Sequence, residues 1–183
     1  MKMPFGKSEH VRIIKAIAYG MHKAGTLNRY LELGIRAGAC FNEVAPFAKE
    51  AYAVDINDCF KYIKSNKNMI WFRGKTIDFL DKHDRDKKFD LAFIDADHKH
   101  ESSLQDFEHT LPLMKENGLI LLHDTYPTKE ELLSRKYCGD SYKTADYIRR
   151  KYSDICEIAT LPFYYGISIV RKMKIGKQLL WKK

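Results

Sequence analysis

Short apolar runs recur along the chain at RYLELG (29–34), AYAVD (51–55), MIWF (69–72), FDLAFID (89–95) and GLILLH (118–123). Each is too short for a typical helix and apolar nearly throughout, the pattern of a strand covered on both faces within a parallel sheet. Helix-patterned segments separate them. From Ser8, a candidate N-cap, to Lys23, the positions Val11, Ile14, Ile17, Ala18 and Met21 fall at helical intervals. AGACFNEVAPFA follows the first run, and a stretch through Phe60, Tyr62 and Ile63 follows the second. A further helix is expected from Glu101 to Lys115, with Leu104, Phe107, Leu111 and Met114 on one face and Asn117-Gly118 as its stop. This alternation predicts an α/β fold: a single-domain, Rossmann-like open sheet, mostly parallel, with helices on both faces. The end of the chain departs from it. ICEIATL (155–161) and YYGISIV (164–170) are separated by Pro162-Phe163 alone, so they must pair antiparallel, because a parallel return needs a longer crossover.

With 183 residues, 45% hydrophobic and 13% aromatic, the chain has the material for one packed core and no room for a second full domain. No apolar run reaches the roughly 20 residues of a membrane span, and MKMPFGKSEH lacks the apolar centre of a signal peptide, so the expected location is the cytoplasm. The four cysteines, Cys40, Cys59, Cys138 and Cys156, show no metal-type spacing and are read as reduced and mostly buried. The net charge of +8 is concentrated at the end: six of the 32 basic residues lie from Arg171 onward with no acid among them, leaving 26 against 24 acidic residues. The body of the protein, 1–170, is therefore nearly balanced, and 171–183 reads as a basic tail in solvent. Thr125 to Asp140 reads as a polar, flexible insertion after the fifth run.

In open α/β sheets ligands bind beyond the carboxyl ends of the strands, so the residues ending each run carry the chemistry. The first ends in Glu32-Leu33-Gly34-Ile35-Arg36-Ala37-Gly38, where two glycines allow a tight turn and Glu32 puts a carboxylate beneath it. The spacing is not the G-x-G-x-x-G of a dinucleotide fingerprint. The second ends in Asp55, about 20 residues on, where an acid can accept hydrogen bonds from ribose hydroxyls. The fourth runs into FIDADHKH (93–100) and the fifth into His123-Asp124. If those strands are neighbours, Asp95, His123 and Asp124 converge and can bind a divalent cation. Mg²⁺ prefers oxygen donors, whereas a histidine ligand suits Mn²⁺, Fe²⁺ or Zn²⁺ better. Asp97 and His98 are the candidate general bases. His100, Asp106 and Glu108 are expected on the solvent side of the following helix, and Trp71 and Phe72 in the core. Tyr126, Tyr137 and Tyr142 can serve either a substrate pocket or helix packing.

Taken together, YLELGIRAGA, VDIN, GKTIDFL, FDLAFIDADHKHESSLQDFE and GLILLHDTYP resemble the class I S-adenosylmethionine-dependent methyltransferases over residues 28–170. The branch of macrocin-type O-methyltransferases and cephalosporin-hydroxylase-like proteins is the most similar. The resemblance implies a small-molecule O-methyltransferase acting on a hydroxylated metabolite or sugar, with S-adenosylmethionine as cofactor and Mg²⁺ or Mn²⁺ assisting. It implies that Glu32, Gly34, Ile35, Arg36 and Gly38 shape the methionine site, that Asp55 and Ile56 hold the ribose, that Thr76, Ile77 and Asp78 border the adenine, and that Asp95 lies at the methionine end. Asp95 and Asp124 match the positions of metal-ligating acids in the metal-dependent members. Arg36-Ala37 depart from the glycine-rich loop of many members. Such proteins occur both as monomers and as homo-oligomers. Two alternatives use other residues: an iron-dependent hydroxylase built on Asp95, His98 and His123, which leaves Glu32 and Asp55 without a purpose, and a nucleic-acid methyltransferase, against which stands the lack of an Asn/Asp-Pro-Pro-Tyr/Phe motif and of a recognition domain.

Overall fold

In the computed structural model, which describes residues 9–64, 67–163 and 165–173, the five apolar runs become five parallel strands: β1 (Arg29–Leu33), β2 (Glu50–Asp55), β3 (Met69–Arg73), β4 (Phe89–Ile94) and β5 (Met114–His123). β6 (Cys156–Leu161) and β7 (Ile167–Lys172) pair antiparallel, and β7 lies antiparallel beside β5. The order across the sheet is β3-β2-β1-β4-β5-β7-β6. The chain leaves β1 on one side and comes back to β4 on the other, so the strand order reverses between β1 and β4. A crevice opens at the carboxyl ends of strands at such a point.

Helices cover both faces: α1 (Glu9–Lys23) and α2 (Phe41–Val44) on one, α3 (Thr76–Lys82), α4 (His100–Thr110) and α5 (Tyr142–Lys151) on the other. The two-residue period of β1 explains the division. Tyr30 points into the layer with Val11, Ile14 and Ala18 of α1 and Phe41 and Val44 of α2, while Leu31 and Leu33 point into the layer with Phe79, Leu80, Phe107 and Ile148. Each such large apolar side chain contributes about 1.5–3 kcal/mol when fully buried, so both faces of the sheet are secured. No helix of the described residues is long and apolar enough to cross a membrane.

Several local expectations give way to tertiary context. The helix expected to reach Lys115 stops at Thr110, because Pro112 sits in a 3-10 turn over Leu111–Leu113 and cannot continue an α-helical ladder. Met114 instead begins β5, and Asn117, with a φ of 63°, sits beside Gly118 at a shift in register opposite Phe89 and Leu91 rather than at a helix end. The segment around Phe60 forms only a 3-10 turn, Phe60–Tyr62. α3 and α5 are not evident from periodicity, being short or largely polar in sequence. Trp71 and Phe72 are half-buried because β3 is an edge strand. Asp106 is 4% exposed, where the helical pattern had put it in solvent. The four cysteines are free and buried, as expected. β7 extends through Arg171 and Lys172, so those two belong to the sheet and not to a tail; Ser8 and 174–183 lie outside the described residues.

Candidate functional site

The loop leaving β1 is shaped by backbone geometry. Gly34 has a φ of 91°, and a Cβ there would fall 2.3 Å from the carbonyl oxygen of Asp95, so only glycine lets the loops after β1 and β4 pass this closely. Arg36 also has a positive φ, 51°, and its side chain is exposed. The loop is tied to the end of β2 by Asp55: Oδ2 accepts the N–H groups of Ile35 at 2.8 Å and Arg36 at 3.0 Å, and Oδ1 accepts those of Asn57, backbone at 2.8 Å and side chain at 3.3 Å. Burial opposes the charge on Asp55, but the amides of Arg36, Asn57 and Ile35 outweigh it and hold the carboxyl below its usual range. A ribose hydroxyl would therefore share Oδ1 with the longer Asn57 contact. Beside this buried acid, Ile56 is 62% exposed, an apolar surface at a strand end where a planar ring can rest.

Glu32 lies deeper than a ligand-facing acid would. It is fully buried on the α1/α2 side, where it accepts the hydroxyl of Tyr30, with Cys40 also against it. Burial pushes its pKa up to about 8, so at neutral pH it is a protonated strut beneath the loop. The hydroxyl of Thr76, at the start of α3, is likewise committed, donating to Asp106 on α4 at 2.5 Å. Burial raises Asp106 to about 6. Ile77 is half-buried and Asp78 exposed beside it.

At the ends of β4 and β5 the side chains do converge. Asp95, His98 and Asp124 each present a ligand atom within 4.8 Å of the others. Asp124 has a φ of 59°, a left-handed conformation that aspartate tolerates better than most residues, and is buried. Burial is the main reason its carboxyl rises to about 6, with Asp95 adding to the effect and His123 and His98 opposing it. His123 lies beneath, its Nδ1 3.2 Å from Asp95 Oδ1 and 3.3 Å from Asp124 Oδ1, so its N–H braces both carboxylates. His10 of α1 packs against His123 with ring centroids 4.1 Å apart and the rings tilted by 46°, and burial lowers its pKa to about 4. Nothing in the sequence marks His10 as a neighbour of residues more than a hundred positions away. Asp97 is outside this group and accepts the Ser102 hydroxyl at 2.9 Å on the first turn of α4. His100 opens α4, half-buried, with Nδ1 2.9 Å from the Thr144 hydroxyl.

His98 is held from the far side. Its Nδ1 lies 3.2 Å from the carbonyl of Arg135, which only accepts, so Nδ1 carries the proton and Nε2, 3.3 Å from Asp124 Oδ2, is the atom turned to the cluster. In a neutral imidazole that nitrogen presents a lone pair to a carboxylate oxygen, an arrangement relieved by a proton or a cation between them. Two carboxylates and an imidazole nitrogen so arranged fit a divalent cation, by donor chemistry as well as spacing. The residues that hold His98 belong to the polar insertion. Rather than a free loop, 125–140 folds back with Cys138 fully buried, and Asp140 N–H donates to the His98 carbonyl at 3.2 Å. Tyr137 packs on Tyr165, centroids 6.0 Å apart, while Tyr126 is exposed and Tyr142 opens α5.

The sheet order, its antiparallel β7 and the loops at its switch point are those of the class I S-adenosylmethionine-dependent methyltransferase fold. Residues 31–125 match the model of a family described as a methyltransferase domain, and the chain belongs to that family. No curated protein matches it in sequence. Solved structures similar to it include a protein from Staphylococcus aureus described as a caffeoyl-CoA O-methyltransferase, 17% identical over 93% of this chain and 86% of that one, with a TM-score of 0.71. An O-methyltransferase from Bacillus cereus in complex with S-adenosylhomocysteine is 18% identical over 88% and 80%, with a TM-score of 0.65. The S-adenosylhomocysteine-bound methyltransferase PaMTH1 of Podospora anserina is 15% identical over 94% and 83%, with a TM-score of 0.71. At these identities the likeness is one of fold.

Proposed function

We propose that the protein is an S-adenosylmethionine-dependent O-methyltransferase for a small hydroxylated metabolite, assisted by a divalent cation. The observation that carries the second half of this reading is the Asp95–His98–Asp124 cluster, set at the mouth of the crevice beside the β1 loop. Family membership and the cofactor-bound relatives support the first half.

S-adenosylmethionine supplies a methyl group on a sulfonium, already a good electrophile, so the chain has to bind it, orient a hydroxyl in line and let the hydroxyl proton leave. Gly34, Ile35, Arg36 and Gly38 form the loop against which the methionine end would rest, and the exposed Arg36 guanidinium is suited to its carboxylate. Asp55 with Ile56 would take the ribose and one face of the adenine, Thr76 and Ile77 the other border, and Glu32 keeps the loop in shape from below. Asp95, Asp124 and His98 Nε2 would hold the cation, with His123 bracing the two carboxylates. A bound divalent cation lowers the pKa of an oxygen ligand towards neutrality and fixes its direction. We assign His98 to this ligand set rather than to proton removal, because its free nitrogen already faces Asp124. Asp97 is turned to Ser102, so the acceptor's hydroxyl proton would pass to solvent at the open mouth.

Calorimetric titration of S-adenosylhomocysteine, with and without Mn²⁺ or Mg²⁺, tests the reading. Binding in the wild type, weakened at least about tenfold in Asp55→Asn and unaffected by Asp124→Asn, is the expected result, with Mn²⁺ binding showing the reverse dependence. A wild type that does not take up S-adenosylhomocysteine under any metal condition would rule the transferase out.

A further inference from the structure

A cavity of about 570 Å³ lies between the start of α4 and the folded-back insertion, lined by Lys99, Glu101, Leu133, Arg135, Asp140 and Lys143 among others. Its charges are not evenly matched. Asp140 is spent within the wall, Oδ1 accepting the His100 N–H at 2.7 Å and Oδ2 lying 3.3 Å from Lys143 Nζ. Among the described residues no ion pair engages Lys99 or Arg135, which leaves two cations facing the single carboxylate of Glu101. The recess is open to solvent and its charged side chains are exposed, so two unmatched cations side by side favour an anion modestly, through a charge-assisted contact. Leu133 supplies an apolar contact in the same recess.

The position of the cavity relates it to the cation cluster. Lys99 follows His98 directly, about 3.8 Å along the backbone. Arg135, one of the residues lining the cavity, accepts the hydrogen bond of His98 Nδ1 on its carbonyl, and the Asp140 N–H donates to the His98 carbonyl. The wall of the cavity and the support of His98 are thus the same stretch of chain. We propose that this cavity receives an acidic group of the methyl acceptor, a carboxylate or a phosphate, while the acceptor hydroxyl reaches the cluster. This rests on the transferase reading and narrows it from hydroxylated metabolites in general to hydroxy acids or phosphorylated alcohols.

The test uses the full chain saturated with S-adenosylhomocysteine and Mn²⁺, titrated in a calorimeter with catechol and with 3,4-dihydroxybenzoate, which differ by one carboxylate. The carboxylate-bearing probe should bind about tenfold more tightly, the scale of one charge-assisted contact. Lys99→Gln combined with Arg135→Gln should erase that preference and leave S-adenosylhomocysteine binding unchanged. Inorganic phosphate as competitor separates the two sources: displacement of the carboxylate probe at millimolar phosphate indicates a phosphate site, and no displacement a carboxylate site. Equal affinity for the two probes, binding of neither, or a preference that survives the double substitution overturns the proposal. Failure of S-adenosylhomocysteine itself to bind instead removes the transferase reading.

Discussion

At the scale of single residues, the site rests on acids whose burial sets different jobs for the same functional group. Asp55 is surrounded by amides and stays charged, whereas Glu32, one strand away, meets a phenol and a thiol and is neutral until about pH 8. This difference predicts a pH dependence of stability. An unfolded glutamate titrates near 4.3. Between there and pH 8 the folded state keeps a proton that the unfolded state has lost, so stability falls as pH rises through that window and levels off above it, by at most roughly 1.4 kcal/mol per unit. Glu32→Gln keeps an acceptor for Tyr30 and removes the titration. Urea melts from pH 5 to 8.5 should show a flatter profile for the variant, with the gain relative to wild type largest at the alkaline end. Parallel profiles for the two proteins would mean that Glu32 is charged in the fold.

At the scale of elements, the insertion after β5 is where sequence reasoning and structure differ most. Its polar composition reads as a loop, yet it reaches His98 through the Arg135 carbonyl and the Asp140 amide and buries Cys138. Gly139 makes the approach feasible: its φ is 55°, and a Cβ there would lie 1.9 Å from the His98 carbonyl oxygen. Gly139→Ala must therefore push the insertion off His98. Losing the partner that orients a ligating imidazole typically costs about 10- to 100-fold in metal affinity. Titration of Mn²⁺ followed by electron paramagnetic resonance should show a loss in that range, with S-adenosylhomocysteine affinity unchanged because the β1 and β2 loops are untouched. Unaltered Mn²⁺ affinity would detach the insertion from the proposed cation site.

At the scale of the whole molecule, the two helical layers are joined through one sheet, and Cys40 and Cys156 report on opposite faces of it. Both thiols are buried, and burial raises both above the usual thiol range, which makes them unreactive while the fold persists. If the layers unfold as one unit, a brief alkylation pulse across a denaturant series, read by mass spectrometry, should label the two cysteines through a single shared midpoint. Separate midpoints would show that one layer comes apart ahead of the other.

The apolar runs and their polar separators were enough to define the α/β class, the five parallel strands, the antiparallel pair at the end and the strand-terminal positions of Asp55, Asp95, His123 and Asp124. These depend on periodicity and on connection length, both local properties of the chain. The sequence could not tell His98 from His123, because that choice depends on which side of a turn each imidazole leaves and on what meets its other nitrogen. Nor could it reveal Asp106 under Thr76 or His10 over His123, since each is a contact between segments 30 or more residues apart. Those contacts exist because strand order brings β4 and β5 side by side and folds α1 and the insertion over their ends, and burial there changes what a histidine or a carboxylate can do.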